Sequence, residues 1–118
     1  MPSEAQIKAS KKHYEANKEV VKRRAAEYKK NQIAKLKELS KFLRSVICKD
    51  CEGDYPWYIM EFDHVRGTKH RDVSVLVSRA VSVATFMAEV AKCEVVCANC
   101  HRARTYNRRN AVLEGVQE

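Results

Sequence analysis

The sequence predicts an α+β chain in which one long N-terminal helix precedes a small, cysteine-braced domain. Three observations predict it. Residues 4–45 contain neither glycine nor proline. Two CxxC pairs, Cys48/Cys51 and Cys97/Cys100, are separated by 45 residues. Two short runs of strand formers, "WYIMEFDHV" and "CEVVC", lie between or against those pairs.

The N-terminal helix comes first. Its residues are rich in Ala, Lys, Glu, Leu and Arg, which all favour helix. Ser3, just after Pro2, is placed to cap it. Ile7, Tyr14, Val21 and Tyr28 recur every seven residues and so share one side. "YEANKEV" and "YKKNQIA" form a two-copy repeat, but one apolar position per heptad is too few for a coiled coil. The stripe thickens at Leu36, Leu39, Phe42, Leu43, Val46 and Ile47, which predicts a solvated rod that docks only by its last turns. About 40 residues at 1.5 Å each make a rod of roughly 60 Å.

Cys48 opens a different regime. "CKDCEGDYP" has turn chemistry in Gly53, Asp54 and Pro56. "WYIMEFDHV" reads as a strand, with Trp57 and Phe62 as core residues. "RGTKHRD" reads as a basic loop, and "SVLVSRAV" fits helix or strand equally well. "SVATFMAEVAK" reads as a helix capped by Ser82, with Val83, Phe86, Met87 and Val90 on one face. "CEVVC" reads as a second strand, followed by a helix from Ala98 to about Arg109 and a frayed end, "AVLEGVQE". The expected division is a basic helical arm over 1–47, a compact domain over 48–110 and a tail over 111–118.

Charge is placed unevenly. The net charge is +8, and residues 1–47 hold 13 Lys and Arg against 5 Glu, so the excess lies in the arm. Residues 48–118 balance at 10 against 10. A basic arm carrying Lys22, Arg23 and Arg24 attracts a polyanion through phosphate contacts and counterion release; the plainer reading is a solvated helix face. No run of about 18 uncharged apolar residues predicts a membrane span. Residues 1–10 lack the apolar core of a secretion signal, so a cytoplasmic location is expected. There, five cysteines favour metal ligation over disulfides.

The paired CxxC knuckles supply four thiolates, the closed tetrahedral set that a structural zinc prefers. Haem attachment at "CANCH" would leave the first pair unexplained. Cys93 reads as a packed thiol. His101 directly follows Cys100, so its side chain diverges from the sulfurs and is available to a second site. Asp63-His64 ends the first strand, where adjacent residues point to opposite faces. A carboxylate with an imidazole suits a hydrated divalent cation, and metal-assisted phosphodiester cleavage needs little more than that cation and a base. Glu61 shares Asp63's face. His13 reads as an exposed residue of the rod.

The motifs "CKDC", "MEFDHV" and "KCEVVCANCHRART", in this order over residues 48–106, resemble the HNH (His-Asn-His, ββα-metal) endonucleases, closest to small phage-type and bacterial members with a zinc-knuckle frame. The resemblance implies two strands and a helix around a catalytic cation, with zinc bracing the hairpin. It implies His64 as the general base and Asp63 and His101 as ligands of a catalytic Mg2+, or of Mn2+ or Ni2+. Cys48, Cys51, Cys97 and Cys100 match the structural zinc ligands. Arg102, Arg104, Arg108 and Arg109 would face DNA phosphates, with Arg66, Lys69, His70 and Arg71 of the basic loop as further contacts. The place of the family's middle asparagine is taken by Lys92; Asn99, inside the knuckle, is not its equivalent. The expected activity is a DNA endonuclease or nickase, in the host cytoplasm if phage-encoded. The alternatives are a non-catalytic zinc-binding DNA or packaging accessory, and a helix that binds a protein partner. Monomer and dimer both stay open.

Overall fold

A computed structural model describes residues 1–113 of the chain. Helix α1 spans Glu4–Arg44. Its start is a capping box, in which Ser3 Oγ accepts from the Gln6 N–H at 3.2 Å and Gln6 Oε1 accepts from the Ser3 N–H at 2.8 Å. Lys41 and Arg44 in the last turn complement the negative end of the helix dipole. Forty-one residues explain the longest molecular dimension, 67 Å. Ile7, Tyr14, Val21 and Tyr28 are exposed, so the first two-thirds is a free rod.

Docking begins at Gln32, whose side-chain amide donates to the Val81 carbonyl at 2.9 Å. Fully buried Leu36, with Ile33, Leu39 and Leu43 beside it, packs on Val73, Val77 and Phe86. Phe42, Val46 and Ile47, expected in this contact, are exposed instead. Residues 36, 39, 40 and 43 already fill the inward stripe at helical spacing, which turns Phe42 outward, and Val46 and Ile47 follow the helix end.

A single 3₁₀ turn at Trp57–Ile59 precedes strand β1, Met60–His64. The expected strand began three residues too early because Pro56 sets a turn, closed by the Ile59 N–H to the Pro56 carbonyl at 2.9 Å. Helices α2 (Val73–Ser78) and α3 (Val83–Val90) follow. Ser82 caps α3 by accepting from the Thr85 N–H at 3.1 Å. Strand β2 (Cys93–Cys97) pairs antiparallel with β1, from Met60 opposite Cys97 to His64 opposite Cys93. Helix α4 runs Ala98–Leu113. It is longer than expected, so residues 111–113 are helical; the remainder of the predicted tail lies outside the described residues.

The architecture is thus a two-stranded sheet backed by α4, with α2 and α3 threaded between the strands and α1 laid across them. Two cores hold it. One joins α1, α2 and α3 through Leu36, Val73, Val77 and Phe86. The other sits under the knuckles and consists of Cys48, Met60, Val96 and Cys97. An isolated pair of strands is marginal in water, and this second core is small, so the cysteines carry structural weight. Among the described residues no helix is long and apolar enough to cross a membrane.

Candidate functional site

The four cysteines come from three elements. Cys48 and Cys51 lie on a knuckle closed by the Glu52 N–H to the Cys48 carbonyl at 2.9 Å, with Glu52 at φ 60°. The Lys49 N–H donates to the Val95 carbonyl at 3.1 Å and ties this knuckle to β2. Cys97 ends β2 and Cys100 stands in the first turn of α4. Their sulfurs all lie within 4.8 Å of one another, so the set could hold a metal ion. Backbone amides point at the sulfurs: the Cys97 N–H donates to Cys48 Sγ at 3.3 Å, and the Cys100 N–H to Cys97 Sγ at 3.4 Å. Burial pushes the Cys48 thiol up, but the amides around it prevail and bring it down to about 6. Hydrogen bonding to Cys97 and burial push Cys100 up to about 12. Sulfurs this close cannot all ionise alone, and a tetrahedral cation removes that conflict. Tyr55 Oη lies 3.6 Å from Cys51 Sγ. Gly53 permits this approach, since a Cβ there would collide with the Tyr55 ring.

Asp63 and Glu94 face each other across the ladder, and both turn towards α4. Asp63 is 3% exposed. Its Oδ1 accepts from Arg108 Nη1 at 2.9 Å, and its Oδ2 from Arg104 Nη1 at 2.9 Å and Arg108 Nη2 at 2.8 Å. Burial pushes this carboxyl up, and the two arginines more than reverse it, to about 2. Arg104 also grips Asp50 through two bonds of 2.6 Å and Glu94 at 3.0 Å, which raises its own pKa.

His101 reaches the same carboxylate from the other side. Its Nε2 stands 3.4 Å from Asp63 Oδ1, and its Nδ1 lies 2.7 Å from Glu61 Oε1. A proton on Nδ1, given to Glu61, leaves the Nε2 lone pair facing Asp63. Asp63 Oδ1 also accepts from Arg108, and among the described residues the group of three or more side chains placed to hold a metal ion is the four cysteines.

His64 turns the opposite way along β1, and its Nε2 lies 3.2 Å from Glu89 Oε1. Asp63, His64 and His101 all line a cleft of about 1250 Å3 between the hairpin and the docked end of α1. Lys37, Lys41 and Arg44 stand on its α1 wall. Lys41 Nζ sits 5.1 Å and Arg44 Cζ 5.2 Å from the Trp57 ring centroid, so Trp57 forms a cation–π platform instead of core.

The predicted basic contacts divide into two groups. Arg104 and Arg108 are committed to the acidic cluster. Arg66 donates to the Ala91 carbonyl at 2.7 Å and to the Cys93 carbonyl at 3.3 Å, and Lys69 pairs with Asp72. His70, Arg71, Arg102, Arg109, Lys22, Arg23 and Arg24 are exposed. Sequence reasoning passed over Glu89 and the Lys37, Lys41, Arg44 face. Their signals were an acid–base pair at i, i+3 closing α3 and a basic i, i+4, i+7 stripe beside Leu36. No protein-family model, curated protein or solved structure matches this chain.

Proposed function

We propose that the chain is a metal-dependent HNH endonuclease or nickase that hydrolyses DNA phosphodiester bonds. On this reading the four cysteines hold a structural zinc, and Asp63 and His101 hold one catalytic divalent cation. The observation that carries it is the convergence of Asp63 Oδ1 and His101 Nε2, 3.4 Å apart, on a cleft that His64 also lines. A simple binding module needs no such convergence.

The chemistry follows from these groups. A divalent cation such as Mg2+, Mn2+ or Ni2+, held by Asp63 and His101, would supply Lewis acidity to the phosphodiester. Asp63 and His101 hold one side of its shell, and Glu61 fixes the His101 ring. His64, which lines the same cleft, takes a proton from the attacking water. Lys37, Lys41 and Arg44 give neighbouring phosphates a positive wall, and Lys22, Arg23 and Arg24 extend contact to flanking duplex.

One observation favours a second reading. Both Asp63 oxygens already accept from arginines, so much of the charge a cation would meet is matched. On that reading the chain is a non-catalytic zinc-binding DNA or packaging accessory. Supercoiled plasmid incubated with the protein and each metal separates the two. Nicked or linear product is expected, slowed by about 10²-fold or more in His64→Ala. No cleavage with any metal, or an equal rate in His64→Ala, would overturn the nuclease reading. Salt-sensitive binding without cleavage would select the accessory.

A further inference from the structure

Glu89 is a buried acid that the chemistry above does not use. It is 3% exposed and belongs to the last turn of α3. A carboxylate in such a position must be satisfied by donors, because an unpaired buried charge is costly. Three donors converge on it. Oε1 lies 3.2 Å from His64 Nε2 and accepts from the His70 backbone N–H at 3.0 Å, while Oε2 accepts from Lys92 Nζ at 2.8 Å.

Lys92 extends the arrangement to the loop after β1. Its Nζ donates to the Thr68 carbonyl at 2.7 Å, and its own carbonyl accepts from the Val65 and Arg66 amides at 2.9 and 3.2 Å. Gly67 turns this loop at φ +69° over the methylenes of Lys92. The segment 65–70 is therefore fastened at Val65 and Arg66 by the Lys92 carbonyl, at Thr68 by the Lys92 side chain and at His70 by the Glu89 side chain.

From this geometry we infer that Glu89 is a positioning residue for His64. It holds the proton on Nε2 and leaves Nδ1 as the lone pair that receives a proton, with Lys92 locking the loop that carries the assembly. The logic is that of any carboxylate that sets the tautomer and ring orientation of a histidine base. This inference rests on the endonuclease reading for its kinetic consequence, but not for its tautomer consequence.

Two measurements on full-length, metal-loaded protein test it. The first is the 15N spectrum of the His64 ring, whose two nitrogen shifts show which nitrogen holds the proton. The Nε2–H tautomer is expected in the wild type, retained in Glu89→Gln, whose amide oxygen still accepts, and lost or averaged in Glu89→Ala. The second is plasmid nicking. Glu89→Ala should lower kcat by about 10–100-fold with KM for DNA and zinc content unchanged, and Glu89→Gln should recover most of the rate. A wild-type His64 protonated on Nδ1 would overturn the inference, and this reading needs no variant to fold. So would wild-type nicking by Glu89→Ala where His64→Ala fails. If the wild type does not nick at all, the endonuclease reading fails, and the tautomer result still decides the role of Glu89.

Discussion

The α1 wall of the cleft gives a quantitative test of nucleic-acid binding. Lys37 and Lys41 stand one turn apart, and both face the cleft that holds Asp63 and His64. Replacing both with glutamine keeps helix propensity and stem length while removing two charges. Each phosphate contact contributes about −0.9 to the slope of log K against log salt, so the double variant should flatten that slope by about 1.8. Between 50 and 200 mM salt this is about one decade of affinity that the wild type loses and the variant does not. Fluorescence anisotropy of a labelled duplex over a salt series reads the slope directly. Thermal unfolding checks that α1 stays docked, since its apolar contact runs through Leu36 while Lys41 also lies over the Trp57 ring. An unchanged slope would show that no phosphate sits on this wall, whatever the absolute affinity.

Further outcomes follow from the same geometry. Leu36→Ala should cost about 3 kcal/mol in urea unfolding, because Leu36 is fully buried between α1, α2 and α3. Ile7→Ala, at an exposed position, should stay within about 0.5 kcal/mol; equal costs would contradict the division into rod and dock. Chelation, or Cys51→Ser, should release one zinc per chain and lower the melting temperature, because two of the ligands are half of the core around Met60 and Val96. An unchanged melting curve under chelator would refute a structural metal. Asp63 and Glu89 are both held near 2, the first by Arg108 and Arg104 against burial, the second chiefly by Lys92. A depressed carboxylate stabilises the fold above its unfolded pKa and loses that contribution as pH falls through the folded value. Urea midpoints should therefore drop between about pH 4 and pH 2, and less steeply in Glu89→Gln. Parallel profiles would refute the assignment to Glu89.

What the sequence made legible was whatever short-range physics decides. Ser3 with Gln6, and the absence of glycine and proline afterwards, specify α1 almost to the residue. The equal spacing of the two CxxC pairs announces that their sulfurs meet. Segment 73–78 was ambiguous because its valines and leucine suit a strand locally; burial of Val73, Leu76 and Val77 at helical spacing decides for helix. Trp57 looked like core, yet its ring takes up cations from α1, a contact set by how that helix crosses the hairpin. Arg104 and Arg108 looked like free phosphate contacts. Their carboxylate partners are Asp50 and Asp63, more than 40 positions earlier in the chain, and only the folded register of β1 and α4 brings them together. Lys92 stood out only as a departure from a familiar pattern. Its spacing from Glu89 is local, but its role in fastening the loop after β1 is tertiary, through the Thr68 carbonyl 24 positions earlier.

The undocked part of α1 runs from Glu4 to Asn31, about 42 Å at 1.5 Å per residue. Laid along a duplex, whose rise is 3.4 Å per base pair, it covers about twelve base pairs. On the endonuclease reading, Asp63, His64 and His101 lie beyond one extremity of that span. Protection from hydroxyl radicals should then be lopsided, with the nick near one margin, and the protein would sense direction along DNA even without reading a single base.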